Sequence, residues 1–105
     1  MKAIVIYENG GPEVLRYEEV PDPTPGAGEI LIEQTAAGVN FADVMLRLGK
    51  YFIKPELPAT PGFEGAGVVV AVGDGVDRFS VGQRVGYVMS IGSYAEMNVV
   101  PAAKA

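Results

Sequence analysis

The sequence predicts a mainly β domain, a partly open barrel or a sandwich, with one short helix at about 41–48. Three observations carry this. Short β-branched and apolar runs recur along the chain at roughly regular spacing. Between them, 14 glycines and 8 prolines act as punctuation and form no low-complexity block. The hydrophobic period switches from strand-like to helical spacing in only one place. At 105 residues the chain has the length of one domain.

The elements follow in order. Lys2–Tyr7 is β-branched and reads as a strand. Asn9-Gly10-Gly11-Pro12 is a turn signal, and Leu15–Val20 alternates as a second strand paired with the first. Pro21–Gly26 holds three prolines, which lack the N–H that a ladder needs. Glu29–Gly38 is a third strand. Then Phe41, Val44, Met45 and Leu48 fall at i, i+3, i+4 and i+7, which predicts a helix that packs this face on the core. Asn40 is a suitable N-cap, with Asp43 in the capping-box position and Gly49 as the left-handed stop. Tyr51–Pro61 is proline-rich and extended. Gly67–Gly73 is the most apolar run and reads as a central strand. Gly73–Gly75 turns the chain and Val76–Gly82 is loop-like. Arg84–Met89 and Ser93–Val100 complete about six strands.

Composition removes several chemistries. The chain has no Cys, His or Trp. That excludes disulfides, thiol nucleophiles, Cys/His zinc sites and histidine proton shuttles. The net charge is −5, and the eight cations are scattered, so there is no basic footprint for nucleic acid. No apolar run approaches the ~20 residues of a membrane helix. The first residues turn acidic too soon for a signal peptide. A cytoplasmic protein is expected.

The candidate site residues have plain structural roles beside functional ones. Gly62, Gly65 and Gly67 precede a strand and do not open a helix, so they do not form a phosphate loop; turns and close backbone packing explain them. Glu64 lies in an apolar context and is either paired with an arginine or part of a site. Asn40 is explained by capping alone. Phe41 and Met45 are explained by core packing. Arg47 and Tyr51 flank the helix end, where they either bind a polar ligand or snorkel.

Five segments also resemble a known family. They are Gly10–Leu15 (GGPEVL), Ala37–Asp43 (AGVNFAD), Pro61–Val69 (PGFEGAGVV), Val72–Val76 (VGDGV) and Gly82–Val85 (GQRV). In this order and spacing they are similar to the quinone oxidoreductase (zeta-crystallin-like) branch of the medium-chain dehydrogenase/reductase superfamily. The Asn-Phe-Ala-Asp segment is also similar to vesicle-protein VAT-like members of that branch. The resemblance implies a GroES-like contorted barrel over residues 1–105, the N-terminal catalytic domain. The Rossmann nucleotide-binding domain that follows it in such enzymes is expected to be absent from this chain.

Zinc-dependent relatives carry Cys where this chain has Asn40 and His where it has Phe63. The resemblance therefore implies a zinc-independent, NADPH-dependent reductase of quinones or enones. By position, Asn40 would meet the nicotinamide end of NADPH, with Phe41, Ala42 and Met45 lining the cleft. Tyr51 would hydrogen-bond a quinone oxygen. Met45 departs from the family, where Tyr is frequent. The domain alone is expected to be nearly inactive, and its apolar surface is expected to pack on the missing domain or on another copy. Two alternatives stand beside this: an interaction or scaffold module of GroES-like fold, and a folding unit cut from a larger enzyme.

Overall fold

The computed structural model describes all 105 residues and contains six strands and one α-helix. Strands β1 (Lys2–Val5) and β2 (Arg16–Glu19) pair antiparallel, with Lys2 opposite Glu19 and Val5 opposite Arg16. Their connection includes a 3-10 turn at Pro12–Val14. Strands β3 (Glu29–Ala37), β4 (Gly65–Val72), β5 (Arg84–Tyr87) and β6 (Met97–Pro101) form a second antiparallel sheet in the order β5-β4-β3-β6. The sheets do not close on one another. A bridge between Ala3 and Ala95 and a bond from Ile4 N–H to the Tyr94 carbonyl link them, giving the partly open barrel.

Alternation along β3 turns Ile30 and Ile32 inward, where they meet Val69, Tyr87 and Val100 in one core cluster. Each such side chain contributes roughly 1.5–3 kcal/mol by leaving water. A second cluster of Ile6, Val14, Leu46 and Phe63 lies under helix α1 (Phe41–Arg47). Gly49 ends the helix with φ +75, and the Asn9 side chain donates to the carbonyls of Leu46 and Arg47. Arg47 donates back to the Gly10 carbonyl at 3.1 Å, so it ties the helix to the first turn. The extended segment 51–61 is held at Ala59, which exchanges two backbone bonds with Ile6.

The structure corrects two expectations. The helix does not bury the Phe41-Val44-Met45-Leu48 face. Asp43 and Leu46 are its buried residues, and Phe41 is 75% exposed. In a seven-residue helix one turn makes the contact. Here Ala42 and Leu46, four residues apart, pack in the second cluster, while Phe41 and Leu48 at the ends of the larger apolar stripe are exposed and Val44 and Met45 are half-buried. The last strand begins at Met97, where Ser93 was expected. Residues 90–94 spend their backbone N–H groups elsewhere: Ser90, Gly92 and Tyr94 donate to Phe63, Gly62 and Pro61.

Candidate active site

Antiparallel pairing brings the end of β3 beside the start of β4 and the end of β5: Ala37 lies opposite Gly65, and Gly65 opposite Tyr87. An open cleft of about 540 Å³ lies at this end of the sheet. Its walls include Ala36, Ala37, Glu64 and Val88, and Lys104 stands at its edge. Gly38 is part of the wall, and Asn40 follows two residues later at the N-cap of α1. The helix therefore begins at the end of the sheet where the cleft opens.

Asn40 is exposed, with extended backbone at φ −129 and ψ 156. Its N–H donates at 3.0 Å to Oδ2 of Asp43, which is only 5% exposed. Tyr94 donates its hydroxyl to the same oxygen. Burial, then the Asp43 carboxylate, pushes the Tyr94 phenol well above its ordinary range. The Tyr94 ring lies over Gly62, whose φ is +98. A Cβ there would stand 2.1 Å from Ser93 Oγ and 2.6 Å from the ring. Glycine at 62 thus lets the 93–94 loop close on the segment that leads to Glu64.

Tyr51 is half-buried. Its ring packs on Phe63 at 5.5 Å and on the exposed Phe52 at 4.6 Å. Phe63 itself is core, so this position supplies packing and no ligand atom. Glu64 is half-buried at the cleft and takes part in no ion pair, which corrects the expected arginine partner. The molecule's ion pairs all involve the N-terminal amine or Lys2. The Glu64 side chain lies against Gly38 instead, where a Cβ would come within 2.1 Å of Oε1.

Of the candidate site residues, Glu64 lines the cleft, whereas Asn40, Phe41, Ala42, Met45 and Tyr51 do not: Asn40 follows the wall residue Gly38 by two positions, and Tyr51 packs on Phe63, the neighbour of Glu64 in sequence. Phe41 is exposed, Met45 is half-buried, and Ala42 packs against the second core cluster. Sequence reasoning missed Tyr87, which pairing with Gly65 brings to the cleft, Val88, which follows it, and Lys104, which arrives from the 3-10 turn after β6. It also missed Tyr94, which lies in a loop read as strand.

A dinucleotide cofactor makes two different demands on such a site. A carboxamide-bearing ring needs an apolar surface and a group that both donates and accepts, and the exposed Asn40 amide has both capacities. The phosphates need cations or a row of N–H groups at a helix N-terminus. Lys104 is the single cation at the cleft, and it already donates to the Met89 carbonyl at 2.7 Å. The cleft residues therefore leave such phosphates to other groups.

Residues 26–105 match the alcohol dehydrogenase GroES-like domain. Quinone oxidoreductase of Rattus norvegicus is 45% identical over 98 residues, which are 91% of this chain and 30% of that protein. The synaptic vesicle membrane protein VAT-1 homolog of Rattus norvegicus is 42% identical over 106 residues, 99% of this chain and 26% of that one. The crystal structure of Escherichia coli quinone oxidoreductase complexed with NADPH superposes with a TM-score of 0.93 at 37% identity. It covers 99% of this chain and 32% of that one. The chain belongs to the alcohol dehydrogenase GroES-like domain family, in the quinone oxidoreductase branch of the medium-chain dehydrogenase/reductase superfamily. It spans about a quarter to a third of the length of these relatives.

Proposed function

We propose that this chain is the substrate-side domain of a zinc-independent, NADPH-dependent quinone or enone reductase, acting in the cytoplasm. The observation that carries the reading is the exposed Asn40 at the helix start beside the Glu64 cleft. Phe63 is buried where zinc-dependent relatives hold a histidine, and Asn40 replaces their cysteine. Bound NADPH supplies the hydride, and a quinone that takes up this hydride and one solvent proton becomes a hydroquinone.

The chain's own residues then position the reactants. Asn40 holds the carboxamide of the nicotinamide. Phe41, Ala42 and Met45 line that side of the cleft, and the Tyr51 hydroxyl donates to a quinone oxygen. A Rossmann domain binds the phosphates and completes the cleft, and the exposed Val39, Phe41 and Phe52 pack on it or on a second copy. The fixed pair Ile6–Ala59 pins the 51–61 segment, which counts against a scaffold that works through a mobile loop.

The test is steady-state NADPH oxidation with a benzoquinone by the whole reductase. Serine also caps helices but lacks an amide, so Asn40→Ser separates the two roles of Asn40. It is expected to lower kcat/KM about tenfold, a loss of about 1.4 kcal/mol of transition-state binding. Tyr51→Phe is expected to lower kcat without unfolding the protein. Unchanged kcat/KM in both variants would sink the assignment. The 105-residue chain alone carries no phosphate loop and is expected to show no quinone-dependent NADPH oxidation.

A further inference from the structure

We propose that Asp43 and Tyr94 are positioning residues that set where Asn40 stands at the start of α1. This rests on the reading that Asn40 meets the nicotinamide.

Asp43 is 5% exposed, yet no cation pairs with it. Both of its hydrogen bonds, from the Asn40 N–H and the Tyr94 hydroxyl, converge on Oδ2. Oδ1 is buried without a partner, as is the neighbouring loop's Ser93 Oγ. A carboxylate buried this way weakens the fold compared with a well-packed neutral residue. The bond from the Asn40 N–H is half of a capping box, but a capping box requires neither the burial of its carboxylate nor a bond from a tyrosine 51 residues away. The two hydrogen bonds on Oδ2 tie this carboxylate to two separate segments.

Through Oδ2 the carboxylate holds the backbone of Asn40 itself. Through the Tyr94 phenol it reaches a loop whose backbone is bonded to Pro61 and Ile4, two residues from Phe63 and within β1 respectively. Asn40 is thus registered to the segment that leads to Glu64. A site of this kind needs its groups held within ~0.5 Å, and a misplacement of ~1 Å can cost ~100-fold in rate.

The test has one arm free of turnover. In amide exchange of the 105-residue chain, Tyr94→Phe is expected to speed exchange of the Asn40 N–H at least tenfold, while the Leu48 N–H at the other end of the helix keeps its rate. Unchanged Asn40 exchange would overturn the proposal. In the whole reductase, Tyr94→Phe is expected to lower kcat about tenfold with the NADPH KM moving less than twofold. It is expected to have no further effect on top of Asn40→Ser. Additive losses, or no loss, would overturn it. Asp43→Asn keeps an oxygen for the Asn40 N–H and is expected to retain more kcat than Asp43→Ala; equal losses would count against the proposal. If Asn40→Ser alone is silent, the nicotinamide assignment fails, which the exchange arm does not depend on.

Discussion

At Gly62 a single hydrogen atom keeps two segments together. Its φ of +98 and the 2.1 Å separation that a Cβ would have from Ser93 Oγ exclude any other residue without movement of the 93–94 loop. Gly62→Ala is expected to destabilise the fold by about 2–4 kcal/mol, combining left-handed strain with overpacking. Urea denaturation checks this, and a change under 1 kcal/mol would show that the loop can yield. The glycine itself was legible as a packing glycine from its place before a strand. What it packs against was not, because Tyr94 lies 32 positions away and nothing local in Ser93-Tyr94-Ala95 marks it. Asp43 was half legible: its spacing from Asn40 gave the capping box, but its burial and its bond to Tyr94 come from the approach of a distant loop.

The helix shows how an element can be legible while its orientation is not. Its start at Phe41, its N-cap and its stop at Gly49 followed from residues within a dozen positions, and all three stand in the structure. The buried face did not follow. Counting large apolar residues selected Phe41, Val44, Met45 and Leu48. The barrel instead receives Ala42, Asp43 and Leu46, because Asn9, Gly10 and Arg47 fix the helix rotation from its far end. Leu46→Ala is expected to cost roughly 2–5 kcal/mol, as a core truncation does, and Phe41→Ala to stay within about 0.5 kcal/mol. Parallel urea titrations of the two variants check this. Equal losses would contradict the observed packing.

For the whole molecule, ionisation shapes the pH profile. Hydrogen bonds to Asp22 and Glu19 raise the N-terminal amine above its ordinary 8.0. A bond to Glu18 raises Tyr7, and burial raises Tyr87 and Tyr94, above 10.0. In each case the folded chain keeps its proton after the unfolded chain has begun to release it. Their stabilisation is thus complete below the unfolded values and fades as pH rises through the folded ones. Glu19 is lowered from 4.5 by the same amine, so its contribution is present above that value and fades as pH falls. Urea midpoints are expected to begin falling above about pH 8 and to fall more steeply above about pH 10. Tyr94→Phe should flatten the alkaline limb, and an identical limb in that variant would refute its share.

The sequence by itself determined the strands, the turns, the capped helix and the absence of thiolate and imidazole at the positions of Asn40 and Phe63. These depend on side-chain period, backbone preference and residue chemistry, all of which are local. The tertiary structure alone decided which helix face is buried and that Glu64 lies against Gly38 without an arginine. It also decided that Tyr94 closes on Asp43 behind Asn40. Those outcomes depend on register between strands and loops far apart in the chain, where contacts are selected by the packing of the whole barrel and not by any neighbour in sequence.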